Sequence, residues 1–340
     1  MISNNNFSIA VDAMGGDNSP NKVIEGCEIF LESNINTKLI IFGDQNLIKN
    51  KIKKKYFNNF MIIHCSEKIL DNDKPSSVLR SKKDSSMRKA LEYLKDNPNV
   101  GFVSSGNTGA MMALSKILLG TLNNIERPAI CSMIPTTNNF CVMLDLGANK
   151  DCNEKHILQF SIMGDAFAKI NNIQNPKIAI LNIGTEEIKG KEYLQDGANL
   201  INDSFLKDNF IGFIEPDDIT TGKADVIVTD GFTGNIALKS AEGISKFMTT
   251  NFQNIFTKNI LNNIAYLILK KDLSKFSKKM NPSNYNGAIF LGINGIVIKS
   301  HGSANAKAFS QALNNCLDFL KGNVNNLIIQ EFKLVNFINE

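Results

Sequence analysis

Short runs of β-branched and aliphatic residues recur along the chain, each followed by a cluster of Gly, Ser, Thr, Asp or Asn and then by a stretch of helical periodicity. Phe7–Val11, Lys38–Phe42, Phe60–His64, Gly101–Ser104, Phe140–Leu144, Lys177–Asn182, Gly212–Ile214, Ala224–Val228 and Gly295–Lys299 read as strands. Met87–Leu94, Thr108–Gly120, His156–Ile170 and Asn305–Leu320 read as helices. Near-continuous apolar strands linked by helices belong to a sheet covered on both faces. The pattern predicts an α/β fold of three layers, α/β/α, around a mostly parallel sheet. Ligands in such sheets bind outside the carboxyl ends of strands, where most of the polar clusters of this chain fall.

One segment breaks the alternation. Ile244, Phe247, Met248, Phe252, Ile255 and Phe256 repeat at three-four spacing, Ile260 to Leu269 continue the apolar pattern, and Lys270, Lys271, Lys275, Lys278 and Lys279 follow. This predicts a protruding amphipathic helical hairpin over 244–280, inserted in a single catalytic domain spanning 1–340. Its apolar face suits a dimer interface or the surface of a membrane, with lysines at the anionic headgroups.

Composition closes off other classes. With 43% hydrophobic and 21% charged residues in 340, the chain can bury a sizeable core. A net charge of +4 is too mild to demand nucleic acid as a partner. The six cysteines form no C-x-x-C pair and there are only three histidines. That pattern predicts neither a zinc site nor a disulfide framework, and suits a reducing cytosol. No basic-then-apolar leader opens the sequence, and no run approaches the ~18 apolar residues of a membrane span; a cytoplasmic protein is expected.

Seven strand-end clusters carry the candidate chemistry. In VDAMGGDNSP, Asp12 ends a strand and Gly15, Gly16 and Asp17 form either a plain turn or an anion-binding turn before a helix. In LRSKKDSSM, Lys83, Ser85 and Ser86 read as a capped, solvated turn or as a phosphate site. Ser105, Gly106, Asn107 and Thr108 exceed what a plain turn needs and read equally as a structural junction or as a site for phosphate or an oxyanion. Asp145 and Asn149 are candidates for binding substrate or phosphate or are plain turn residues; no metal is expected there. Gly184 and Lys189 lie on a glycine-flanked loop that can bring a lysine to an anion. Asp230, Gly231, Thr233 and Asn235 stand between a strand and a helix. Asn294 precedes the last strand and His301 follows it, as an acid–base group or a structural histidine. The G-x-G-x-x-G and Gly-Lys-Ser/Thr fingerprints of nucleotide sites are absent.

In order and spacing, VDAMGGD, KPSSVLRSKKDSSM, SSGNTGA, RPAI, LDLGAN, LNIGTEE, TDGFTGN, LKSAEG and NGIVIKSHGSANAKAF together resemble the bacterial acyl-acyl carrier protein:phosphate acyltransferase (PlsX) family over nearly the whole chain. The resemblance implies transfer of a long-chain acyl group from acyl carrier protein to inorganic phosphate, without a cofactor. The acyl phosphate would serve a downstream glycerol-3-phosphate acyltransferase in phospholipid synthesis. It further implies a homodimer with a fold akin to phosphotransacetylases and isocitrate/isopropylmalate dehydrogenases, located at the inner face of the cell membrane. On this reading Lys189, Asn235 and His301 are the catalytic candidates. Lys83 and the Gly15, Gly16 and Gly106 backbone help to cradle phosphate, Asn107 and Asn294 hold the thioester, and Asp12 and Asp230 orient loops. Phe252, Ile255, Phe256, Lys270 and Lys271 form the membrane tip, and the lysines there are also suited to dock the acidic carrier protein. Two departures stand out. The family's G-N-V-E-G-R-D is Gly212 to Asp218 here, with Pro216 and Asp217 in place of Gly and Arg, and Ile188 replaces a glycine before Lys189. Alternatives on a related fold are a short-chain acyltransferase using acyl-coenzyme A and a decarboxylating dehydrogenase; a membrane-associated scaffold is a third.

Overall fold

The computed structural model describes residues 7–186, 189–280 and 286–334, without the side chains of 275 and 277–280. Ile188 and the side chains of Lys275, Lys278 and Lys279 therefore lie outside the described residues. In chain order the elements are β1 (Ser8–Asp12), α1 (Asn21–Ser33), β2 (Lys38–Gly43), α2 (Gln45–Lys49), β3 (Phe60–His64), α3 (Pro75–Ser81), α4 (Ser86–Asp96), β4 (Val100–Ser104) and α5 (Thr108–Leu118). They continue with β5 (Ala129–Pro135), β6 (Phe140–Leu144), α6 (Glu154–Ile170), β7 (Ile178–Leu181), α7 (Glu192–Asn202), β8 (Phe210–Ile214) and β9 (Val226–Val228). The last are α8 (Gly231–Thr257), α9 (Ile260–Met280), β10 (Ala288–Leu291), β11 (Ile296–Lys299), α10 (Ala306–Gly322) and α11 (Val324–Phe332).

All strands join one sheet in the order β3-β2-β1-β4-β11-β10-β5-β6-β9-β7-β8. Alternate residues of each strand serve opposite faces: Ile9 and Val11 of β1 join the core beneath α1, α6 and α10, while Ala10 joins the core beneath α4 and α5. The same alternation places Leu39 and Ile41 of β2 on one side and Ile40 and Phe42 on the other. Burial on both faces is why these strands are apolar throughout rather than alternating with polar residues.

Two strands escape the sequence pattern. Ala129–Pro135 is flanked by prolines, and Ala288–Leu291 lies between Gly287 and Gly292, so both read as loop. They matter because they reverse the sheet. β10 runs antiparallel to β11 and to β5, and β5 runs antiparallel to β6, whereas the remaining pairs are parallel. The β1–β4–β11 half and the β6–β9–β7–β8 half therefore point in opposite senses along the sheet.

The hairpin is longer than the sequence suggested. α8 does not begin at 244 but at Gly231, so one helix of 27 residues, ~40 Å long, runs from a strand end out to the tip. Phe252 stacks edge-on with Phe276 and Phe256 packs against Tyr266, which puts both in the seam between α8 and α9. Ile255, Lys270 and Lys271 are exposed. The most exposed apolar side chains are Ile260 and Leu261, 78% and 77% accessible, beside the turn, with Ile268 at 78% further along α9. Among the described residues no helix is long and apolar enough to cross a membrane.

Away from the strand ends, α6 and α11 enclose one lysine between two carboxylates. Lys169 Nζ lies 2.6 Å from Asp165 and 2.8 Å from Glu331. Burial and the Asp165 carboxylate push the Glu331 carboxyl up to about 8, against the pull of Lys169. A carboxyl raised in the folded state binds its proton more tightly there than in the unfolded chain. Its contribution is complete below the ordinary glutamate range and is lost as pH rises through about 8. Glu331→Gln should therefore match the parent near pH 4 and exceed it in thermal stability at pH 9, as read by melting curves across that range.

Candidate active site

Three buried carboxylates end three strands and organise the loops beyond them. Asp12, at the end of β1, accepts from Ser86 Oγ at 2.6 Å, Ser104 Oγ at 2.7 Å and the Met14 amide at 3.1 Å. Burial raises its pKa above the ordinary carboxylate range, and these donors oppose the rise. Ser105 Oγ donates to Gly15 O at 2.7 Å, and the Asp17 amide donates to Gly302 O at 3.1 Å. A Cβ on Gly15 would stand 2.7 Å from the Gly106 nitrogen, so glycine there permits backbone-to-backbone contact. The candidates Asp12, Gly15, Gly16, Asp17, Ser86, Ser105, Gly106 and His301 thus meet at the ends of β1, β4 and β11. Ser85 is buried beneath them, bonded to Lys82 O at 2.8 Å.

Asp145, at the end of β6, is the most heavily engaged. Its Oδ1 accepts from the amides of Ile130, Gly147 and Ala148 at 2.9–3.0 Å, and its Oδ2 from the amide and side chain of Asn149 at 2.7 and 2.9 Å. Asn149 also donates to Pro128 O at 2.8 Å. The pair fixes the 146–149 loop against the start of β5. The first turn of α8 seats on this loop: a Cβ on Gly231 would be 2.6 Å from Asn149 O, and one on Gly234 2.0 Å from Asp145 O. These glycines are spacing for packing.

Asp230 caps α8. Its carboxylate accepts from the Thr233 amide and hydroxyl and from Tyr193 Oη, all at 2.8 Å, with Lys191 at 3.6 Å. Burial acts to raise the Asp230 pKa, but Thr233, Tyr193 and Lys191 bring it below the ordinary range.

Between these two groups runs a cleft of about 420 Å³ lined by one face of α5, from Thr108 to Ile117, and by Ile130, Gly147 and Ala148. Loops following β4 and β6 share this cleft although their strands run in opposite senses. A sheet that twists ~20–25° per strand turns β6 by roughly 80–100° relative to β4 over four steps, which swings the two carboxyl edges together along α5. Asn235, in the first turn of α8, packs over Gly147 with its side chain 3.6 Å from where a Cβ there would stand. Among the described residues its amide has no hydrogen-bond partner.

Other expected ligands are already occupied or lie elsewhere. Asn107 caps α5 through its oxygen, and its Nδ2 donates to the carbonyls of Leu70, Asp71 and Asp73 at 2.9–3.2 Å. It tethers the 70–73 loop and has no free donor for a thioester. Lys189 is exposed and paired with Glu186 at 2.7 Å, and its carbonyl accepts from Asn182 Nδ2 at 2.8 Å. Gly184 accommodates its stem, since a Cβ there would be 2.4 Å from Lys189 Cδ. Lys83 is exposed before α4. Asn294 is exposed at the β10–β11 turn, where its amide donates to Gly120 O beyond the far end of α5. His301 bonds Ser303 Oγ at 2.9 Å and does not line the cleft.

Residues 7–327 match the family described as "Fatty acid synthesis protein". The chain is 44% identical over 334 residues to a phosphate acyltransferase of Wolbachia pipientis from Culex pipiens, covering 96% of each. It is 43% identical to the phosphate acyltransferase of Ehrlichia ruminantium, covering 96% of this chain and 97% of that one. The chain belongs to this family. In fold, this member of the fatty acid synthesis protein family is similar to a Streptococcus pyogenes phosphotransacetylase, with a TM-score of 0.62 at 16% identity over 94% of this chain and 95% of that one. A branched-chain phosphotransacylase from Enterococcus faecalis gives 0.57 at 14%, over 92% and 99%.

Sequence reasoning on this family member missed Lys116, which lines the cleft from the exposed side of α5; as one lysine on a helical repeat it carried no signal. It also took Asn107 and Asp145 for ligands, since a polar residue after a strand looks the same whether it faces a substrate or its own loop. Gly234→Ala tests the seating of α8. With 2.0 Å to Asp145 O the methyl fits only if the backbone shifts, and a loss of ~1–3 kcal/mol is expected in denaturant unfolding.

Proposed function

We propose that this protein transfers a fatty acyl group from the thioester of acyl carrier protein to inorganic phosphate. The observation that carries the reading is a cleft lined by loops of both sheet halves, with the unpartnered amide of Asn235 packed against one lining residue, Gly147, in a chain that matches phosphate acyltransferases over nearly its full length. A phosphate oxygen attacks the thioester carbonyl, the carbon–sulfur bond breaks, and the carrier's phosphopantetheine thiolate leaves and takes up a proton. Phosphate is nucleophilic near neutral pH, so the protein's task is to align the reactants and stabilise the oxyanion. Asn235 donates to that oxyanion, assisted by the amides that open α5 at Thr108 and Gly109. Met112, Ala113, Ile117 and Ile130 receive the first part of the acyl chain, and Lys116 attracts the anionic reactants at the mouth. Lys189, released from Glu186, reaches phosphate from the β7 loop, and His301 serves the leaving thiolate.

The same reading makes the protein a cytoplasmic homodimer that touches the membrane peripherally and delivers acyl phosphate to a glycerol-3-phosphate acyltransferase. The hairpin supports it: Ile260 and Leu261 are exposed at the turn, and Lys270 and Lys271 lie ~15 Å behind them along α9. This order suits apolar insertion with cations at the headgroups.

Trapping acyl phosphate as a hydroxamate tests the reaction. Product from long-chain acyl carrier protein that requires phosphate is expected; product from acyl-coenzyme A alone would replace the carrier-protein reading. Asn235→Ala should lower kcat by ~100-fold or more with an unchanged melting temperature. In vesicle flotation, the double variant Ile260→Asp, Leu261→Asp should lose binding to anionic vesicles; unchanged flotation would leave these side chains an interface role only.

A further inference from the structure

Two lysines sit inside the protein beside the ends of β1 and β11 without a carboxylate partner. Lys22, in the first turn of α1, is 7% exposed and donates from Nζ to Gly302 O. Lys299, the last residue of β11, is half-buried and donates to Ser300 O. Among the described residues neither forms an ion pair, whereas the more exposed Lys53, Lys89, Lys189 and Lys191 do. Enclosing an ammonium group without a counter-ion is costly, and two that repel each other compound the cost. Burial pulls both below the ordinary lysine range, Lys299 to about 8.

The charged groups that face them do not remove this excess. Asp12 faces Lys299, but hydroxyls of Ser86 and Ser104 and the Met14 amide already occupy its oxygens. Asp17 faces Lys22 and Asp71 faces both lysines, and both carboxylates are exposed to solvent. Asp71 lies on the loop that Asn107 tethers. The backbone around the lysines also favours an anion. α1 opens at Pro20 with no side-chain cap and no acidic residue in its first turn. Gly16, at φ +77°, folds the preceding turn onto Ser105 and Gly302.

We propose that Lys22 and Lys299 together seat a phosphate group at the rim formed by the ends of β1 and β11. The inference rests on the acyl-transfer reading for the origin of that group: inorganic phosphate itself, or the phosphate of the carrier's phosphopantetheine arm. Each lysine exchanges a main-chain carbonyl for a phosphate oxygen, and the solvent-exposed Asp71 is the facing carboxylate that competes with the anion for their charge. The seat adjoins Ser105 and Gly106, two residues before the α5 face that lines the cleft.

Ligand-induced thermal stabilisation of the full chain tests this without turnover, so its outcome is independent of whether acyl transfer is observed. The probes are inorganic phosphate, acyl carrier protein with its phosphopantetheine arm, and the same carrier without the arm. Parent protein should gain stability with phosphate, or with the armed carrier alone, and the arm identifies which source supplies the group. Lys22→Met and Lys299→Met should each weaken that ligand by at least ~10-fold while melting no lower than the parent in its absence, because each removes an uncompensated buried charge. Asp71→Asn, at an exposed position, should act oppositely and tighten it. Stabilisation of the parent by phosphate should fade as pH rises past about 8, where Lys299 loses its charge. Methionine variants that melt lower in the absence of ligand yet respond to phosphate as the parent does would overturn the proposal and leave the lysines as carbonyl caps. So would an unchanged response of Asp71→Asn, or a parent that responds to none of the probes.

Discussion

The buried carboxylate of Asp145 holds together the middle of the molecule. Five donors converge on it, from the start of β5, the loop after β6 and Asn149. Those of Ile130 and Asn149 would otherwise be buried without a partner, at a cost of ~1–3 kcal/mol apiece. Because the loop is fixed, Gly231 and Gly234 can bring α8 to within contact of its backbone. Because α8 is fixed, Asn235 packs against Gly147, which lines the cleft. Burial alone would push the Asp145 carboxyl to take up a proton, and the convergent donors oppose this.

Asp12 and Asp230 repeat the device at two other strand ends, one gathering serine hydroxyls and the other capping a helix. The outcome is a rigid set of loops with few free polar groups. Among the described residues, what lacks a partner or a counter-ion is therefore informative: the Asn235 amide beside Gly147, Lys116 along the cleft, and Lys22 and Lys299, held only by main-chain carbonyls at the rim. The same logic joins site and tip, since α8 is at once the element that carries Asn235 and the first arm of the apolar hairpin.

Much of the fold was legible because the physics of a doubly covered sheet is written locally. Nine strands could be read from apolar runs, and the strong helices α4, α5, α6 and α10 from periodicity. β5 and β10 were not legible, since prolines at 128 and 135 and glycines at 287 and 292 mimic loops, and antiparallel pairing with distant strands supplies what local propensity lacks. The start of α8 was hidden for a related reason: D-G-F-T-G-N reads as a loop until Asp230 is seen as a cap and its glycines as packing spaces. At the candidate site, the sequence pointed to the strand ends where buried carboxylates organise the loops. It did not distinguish Asn107, spent on four backbone groups, from Asn235, spent on none.

By itself, then, the sequence determined the layers, the family and the set of loops where chemistry gathers, because burial on two faces and motif spacing are local properties of the chain. Only the tertiary structure decided which polar groups are free. That depends on which donors and acceptors from distant segments meet, and on a reversed, twisted sheet that brings the loops of β4 and β6 to one cleft while enclosing Lys22 and Lys299 without carboxylate partners.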